Sequence, residues 1–266
     1  MNGLAQKILP LGLINFLREL RSSHQWVGSY PSWGIAAEKC KGYESEIILS
    51  SVKEAVTQVI NGNAIFERDS VLFYKEDYVW PLLSILLETA VKNHGKLRVI
   101  DFGGALGSTY FQHRKWIKNV PELRWAIVEQ SNFVECGKSL VKDAGLSFHH
   151  SIENASLGHP PQVIIFSSVL QYLPDPWTIL QESIKSNPDA IVIDRTGFVK
   201  SGKERISIQK VPTTIYKATY PCRFFALDEL VNYLSDSYSL ELTYPAIDRP
   251  ILGAYFSGLY FKRKEK

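Results

Sequence analysis

The chain has 266 residues, 45% of them hydrophobic and 21% charged, enough apolar side chain for one large domain or a domain with an appendage. A formal net charge of +3, with no basic face massed along the chain, argues against a nucleic-acid partner. Cys40, Cys136 and Cys222 are widely spaced, which argues against a disulfide framework or a zinc site and fits a reducing, cytoplasmic compartment.

No apolar stretch reaches the ~18 residues needed to span a bilayer. An apolar stripe of Ile8, Leu9, Leu11, Leu13, Ile14, Phe16, Leu17 and Leu20 lies near the N-terminus, with Lys7, Arg18 and Arg21 around it. It lacks the small-residue cleavage site of a secretory signal. Such a helix either docks on its own domain or makes weak contact with a membrane surface.

Residues 1–95 read as mainly helical and form a candidate cap or substrate region. Apolar spacing predicts helices over Ser45–Ile60, closed by Asn61-Gly62-Asn63, and over Pro81–Val91, with proline in the first turn. Residues 96–266 change to short β-rich runs separated by helical segments. Strands are predicted at Leu97–Phe102, Arg124–Glu129, Leu146–His150, Val163–Ser167 and Ala190–Asp194. Their near-continuous apolar character suits parallel strands buried on both faces, in a doubly wound α/β sheet. Leu240–Tyr244 and Ala254–Lys262 have no helix between them and read as a closing antiparallel pair. Arg205–Val211 alternates polar and apolar residues like an exposed hairpin arm, inside a long connection from Gly197 to Pro221.

Three motifs carry chemistry. Asp101-Phe102-Gly103-Gly104-Ala105-Leu106-Gly107 takes a buried strand through glycines into a helix starting near Ser108 or Thr109. Glycine lets the backbone turn or approach a ligand there, and in open α/β sheets ligands sit outside the carboxyl ends of the strands. Glu129 closes the next strand, roughly twenty residues on, where an acid accepts both ribose hydroxyls. Together they mark an adenosine cofactor, either a nicotinamide dinucleotide or S-adenosylmethionine. Asp101 favours the second, because a carboxylate holds a methionine ammonium and repels a pyrophosphate. The third motif is Phe166-Ser167-Ser168-Val169-Leu170-Gln171-Tyr172-Leu173-Pro174-Asp175-Pro176.

With this last segment the sequence resembles the class I S-adenosylmethionine-dependent methyltransferases, over about Lys96 to Arg263. Phe224-Phe225-Ala226-Leu227-Asp228-Glu229-Leu230 is similar to the same family. Glu67-Arg68-Asp69-Ser70-Val71-Leu72-Phe73 and Val128-Glu129-Gln130 extend the likeness to a group of methyltransferases associated with bacterial surface-carbohydrate genes. The Gly-Gly-Ala-Leu-Gly order departs from the family's alternating Gly-x-Gly-x-Gly.

The resemblance implies a Rossmann-like seven-stranded sheet of five parallel strands plus a C-terminal antiparallel pair, with an N-terminal helical extension. It implies that Gly103, Gly104 and Gly107 line the methionine and ribose, and that Glu129 binds the ribose hydroxyls with Gln130 next to the adenine. Ser151 and Ile152 would flank the adenine ring, and Ser167, Ser168 and Leu170 would lie along the sulfonium side. The acceptor would be a small molecule or carbohydrate, methylated at oxygen or nitrogen. Tyr172, Asp194 and Arg195 are placed to meet it, Tyr172 and Arg195 as candidate catalytic groups or else as a packed aromatic and an ion-pair partner. Arg68 either reaches the cofactor carboxylate or forms a surface salt bridge. A nicotinamide-dependent oxidoreductase and a non-catalytic cofactor-binding module are the alternative readings.

Overall fold

A computed structural model of the chain describes Glu19 and residues 22–40, 45–212 and 218–265. The N-terminal part folds as β1 (Trp26–Tyr30), α1 (Trp33–Glu38), α2 (Ser45–Ile60), the hairpin β2 (Phe66–Arg68) and β3 (Val71–Phe73), and α3 (Trp80–Lys92). Then come β4 (Lys96–Phe102), α4 (Ser108–Ile117), β5 (Glu122–Val128), α5 (Ser131–Leu140), β6 (Leu146–His149), α6 (Ile152–Ser156) and β7 (Val163–Ser167). A 3-10 turn (Leu170–Tyr172) leads into α7 (Pro176–Lys185) and β8 (Ala190–Val199). Last are β9 (Arg205–Lys210), β10 (Thr219–Phe224), α8 (Leu227–Leu234), β11 (Tyr238–Pro245) and β12 (Ala254–Arg263).

The main sheet has seven strands in the order β11-β12-β8-β7-β4-β5-β6. The strands β4 to β8 pair in parallel, while β12 is antiparallel to both β8 and β11. This is the seven-stranded Rossmann-like sheet that the sequence predicts. Alternate residues feed two cores. Val99, Ile127, Ile165 and Val192 face one, with α2, α3 and α4 packed on them, and Ile100, Val128, Ile164 and Ile193 face the other, under α7 and α8. That double burial is why these strands are apolar at nearly every position. Chain order reverses between β4 and β7, so a crevice opens at their carboxyl ends.

Local chemistry starts the helices that flank this crevice. Asp175 caps α7, its carboxylate accepting from the Trp177 and Thr178 backbone N–H groups at 3.1 and 3.2 Å, and Pro176 follows at the first helical position. Pro81 sits in the first turn of α3.

Two expectations are corrected. The Arg205–Val211 segment is not an exposed arm: β9 is the middle strand of a second sheet, β1-β9-β10. Ile206 and Ile208 are buried against Ala36 of α1, and the Ser207 hydroxyl donates to the Gly28 carbonyl at 2.9 Å. Alternation marks a strand with two unlike faces, and here both faces are covered. The N-terminal part is also less purely helical than its apolar spacing suggests, since it supplies β1, β2 and β3. The stripe from Ile8 to Leu20 lies outside the described residues. No helix among the described residues is long and apolar enough to cross a membrane.

Gly258 of β12 lies opposite Tyr244 of β11, where a Cβ would come within 2.1 Å of the tyrosine ring. Gly258→Ala is expected to destabilise the fold by about 2 kcal/mol through overpacking, read as a lower urea midpoint at unchanged slope.

Candidate cofactor and acceptor site

A cleft of about 1230 Å³ opens over the carboxyl ends of the parallel strands. One wall is the turn after β4. Gly103 has φ +70°, and a Cβ on it would lie 2.4 Å from Cγ2 of Val169. A Cβ on Gly104 would lie 2.6 Å from the Asp101 carboxyl carbon. Both glycines line the cleft, whereas Gly107, at φ +108°, is the N-cap of α4 and stands behind it. Between them Ala105 itself takes a left-handed φ of 52°, the backbone consequence of the irregular glycine order.

Glu129 braces this turn. Its carboxylate accepts from the Ala105 N–H at 3.3 Å and from the Gln130 N–H at 2.8 Å, and burial raises its pKa. Asp101 is 1% exposed and lies beneath Gly104 rather than on the cleft surface. Its Oδ2 accepts from the Trp125 indole N–H at 3.2 Å, and the Thr109 hydroxyl lies close enough to favour the ionised form. Burial, reinforced by the charges of Glu129 and Asp194, pushes Asp101 up to about 7.

The other residues predicted from sequence fall around the same space. Gln130, Ser151, Ile152, Ser167 and Ser168 line the cleft. Ser151 also caps α6, accepting from the Asn154 N–H at 3.1 Å, and Ser167 donates to Asp194 at 2.9 Å. Leu170 is fully buried in the core behind the wall. Arg68 lines the cleft but is paired with Asp77 at 3.1 Å and packed over the stacked rings of Phe66 and Phe73.

Tyr172 and Arg195 stand at the far side. Burial pushes the Tyr172 phenol well above its usual pKa. Its ring meets Tyr220 edge-on at 5.2 Å. The Arg195 guanidinium is 2.7 Å from Asp69 and 3.0 Å from Asp248. Burial opposes its charge, and the two carboxylates more than offset that, holding it firmly protonated. Trp26, Gln209, Tyr220 and Phe256, from β1, β9, β10 and β12, also line the cleft, with the Trp26 and Phe256 rings 5.6 Å apart.

The hairpin β2–β3 brings in Glu67, a cleft residue outside the set picked from sequence. Its carboxylate accepts from the Ser108 hydroxyl at the start of α4 and from the Ser70 N–H at 3.0 Å. Burial lifts Glu67 to about 7. Non-glycine residues with positive φ concentrate here: Asp69, Ser70, Ala105, Ser168 and Arg195 all line the cleft. Such strain persists where the surroundings over-determine it, as at ligand sites.

No family model matches the sequence, and no curated protein matches it. Solved structures with a similar fold include the N-terminal domain of EvdMO1 in the presence of SAH and D-fucose, at 11% identity, TM-score 0.50, covering 84% of this chain and 100% of that one. LepI in complex with SAM matches at 15% identity and TM-score 0.48, over 68% of this chain but only 46% of LepI. Magnesium protoporphyrin IX methyltransferase from Synechocystis PCC 6803 matches at 14% identity and TM-score 0.46, over 70% of this chain and 79% of that one. At 11% identity the likeness to the EvdMO1 domain is one of fold alone.

Proposed function

We propose that the chain transfers a methyl group from S-adenosylmethionine to a small-molecule or carbohydrate acceptor, at oxygen or nitrogen. The observation that carries this reading is the charge of the cleft. Glu67, Glu129 and Asp194 line it and Asp101 lies beneath it, burial raising the pKa of each, and the nearby Arg195 is already held by Asp69 and Asp248. A ligand that brings positive charge relieves this arrangement, and a pyrophosphate worsens it.

When bound, the sulfonium supplies an already activated methyl group. The chain's own part is positioning. Gly103 and Gly104 leave room for the methionine moiety, with Gly107 setting the turn and Asp101 contributing charge from beneath. Glu129 takes the ribose hydroxyls, Gln130 lies beside the adenine, and Ser151 and Ile152 flank its ring. Ser167 and Ser168 run along the sulfonium side, backed by Leu170. Tyr172 orients the acceptor by donating a hydrogen bond, and Asp194 is the carboxylate placed to take its proton. Arg195 fixes the loops around them. Residues 1–95 act as a cap and substrate region on a cofactor-binding domain of residues 96–266, and the part of the cleft lined by Trp26, Tyr172, Tyr220 and Phe256 receives the acceptor.

Calorimetric titration with S-adenosylmethionine and S-adenosylhomocysteine, against NAD(H), tests the reading. Sub-millimolar binding of the first two and none of NAD(H) is expected. Binding of NAD(H) alone points to the oxidoreductase, and no binding of either sulfur compound ends the proposal. Binding without turnover across a broad panel of acceptors favours a non-catalytic module. Glu129→Ala is expected to weaken S-adenosylhomocysteine binding by about 1–3 kcal/mol, the cost of losing charge-assisted hydrogen bonds.

A further inference from the structure

The tip of the β2–β3 hairpin is built against its own interest. Asp69 and Ser70 form a two-residue turn with φ of 53° and 65°, the geometry in which Asn-Gly is the comfortable choice. Ser70 also carries a hydroxyl oxygen that is buried without a hydrogen-bond partner. Three residues before Ser70, Glu67 is 1% exposed, and its two hydrogen-bond contacts, the Ser108 hydroxyl and the Ser70 N–H, are both neutral. Each carboxylate oxygen keeps a lone pair for another donor. Asp69 adds a like charge, while Arg195 is turned to Asp69 and Asp248. Glu67 and Ser70 share the cleft with Gly104, Ala105, Ser108 and Thr109 of the glycine turn.

A buried acid with no cation hydrogen-bonded to it, a hydroxyl without a partner and a strained turn are three separate costs in one place. A ligand group with an ammonium for the acid and a carboxylate for the hydroxyl removes the first two. We infer that Glu67 and Ser70 grip the zwitterionic α-amino-acid end of the cofactor where it passes the glycine turn and the start of α4. The inference rests on the methyl-donor reading above. It also gives Ser70 a task, since Arg195 accounts for Asp69 whereas glycine would be the easier choice at position 70.

The test compares S-adenosylhomocysteine with 5′-methylthioadenosine, which keeps the adenosine and sulfur but lacks the amino-acid end. Glu67→Gln preserves shape and removes the charge. It is expected to weaken S-adenosylhomocysteine binding about 10-fold or more and 5′-methylthioadenosine binding less than about 2-fold. Ser70→Ala should act in the same direction by about 3-fold or more. Ser70→Gly should weaken S-adenosylhomocysteine binding while raising the Tm, because it relieves the left-handed strain. Equal losses for both ligands, or no loss for S-adenosylhomocysteine, overturn the inference, and the serine variants decide it if Glu67→Gln fails to fold. Wild-type protein that binds neither ligand overturns the methyl-donor reading itself. Wild-type protein that binds both equally tightly overturns only the hairpin's role.

Discussion

Asp101→Asn is expected to stabilise the free protein at pH 8 and to lower its affinity for S-adenosylhomocysteine. Asp101 is 1% exposed, and burial, with Glu129 and Asp194 adding like charge, moves its pKa from 3.8 to about 7. The folded state therefore holds the proton more tightly than the unfolded chain. Stability falls as pH rises from about 4 to about 7, where only the unfolded chain has ionised, and the full cost persists above 7. A shift of this size amounts to about 2–4 kcal/mol at pH 8. Asparagine removes the ionisation and keeps an oxygen for the Trp125 indole N–H. Urea unfolding at pH 8 and pH 5 should show the variant gaining at the higher pH and losing most of its pH dependence. A residual slope should remain from Glu67, which is also lifted to about 7 and faces Asp69, Arg195 and Ser108. In the wild type, a cationic ligand pulls both carboxyls toward ionisation. Binding should then release protons, and affinity should rise from pH 5.5 to 7. Loss of the Asp101 charge should weaken S-adenosylhomocysteine by about 10- to 100-fold. If Asp101→Asn destabilises the protein at pH 8, the carboxylate is already satisfied without a ligand.

The features legible in sequence were those set by local rules. Val163–Ser167 and Ser45–Ile60 have the bounds that apolar spacing predicts, because a strand buried on both faces and an amphipathic helix each write their period into consecutive residues. The glycines after Asp101 mark the turn because a Cβ there has no room. What escaped depends on distant pairing. Ser207 in β9 finds its partner 179 residues away in β1, and nothing in Arg205–Val211 names that partner, so alternation alone left it exposed. The Asp69-Ser70 turn escaped for the opposite reason. It breaks its local rule by lacking glycine, and the cause lies 126 residues on, where Arg195 takes up Asp69. Glu67 stands in the sequence only as the first residue of the Glu67–Phe73 segment, and its place in the site becomes readable only once α4 and the hairpin enclose it.

Arg195→Ala is expected to destabilise the protein by about 3 kcal/mol, at the lower end of the cost of breaking a buried ion pair. Arg195 holds Asp69 at 2.7 Å and Asp248 at 3.0 Å, tying the β2–β3 turn and the β11–β12 connection to the middle of β8. The lower end applies because the Asp69 side chain is 58% exposed and can be hydrated once released, whereas Asp248 is only 25% exposed. Adding Asp248→Asn to Arg195→Ala should therefore recover about 1–2 kcal/mol, a coupling that a solvated pair would not show. Arg195→Lys should fall between wild type and alanine, since an ammonium cannot reproduce the forked contacts to two carboxylates. Arg195→Gly offers a separate check. At φ 51° glycine relieves backbone strain that alanine keeps, so it should be more stable than alanine by about 1 kcal/mol although both lose the guanidinium. A guanidinium that acted only on the acceptor would leave stability within about 0.5 kcal/mol of wild type for all of these variants. The predicted order of urea midpoints, wild type above lysine, lysine above glycine and glycine above alanine, separates a loop clasp from a purely catalytic arginine without knowledge of the acceptor.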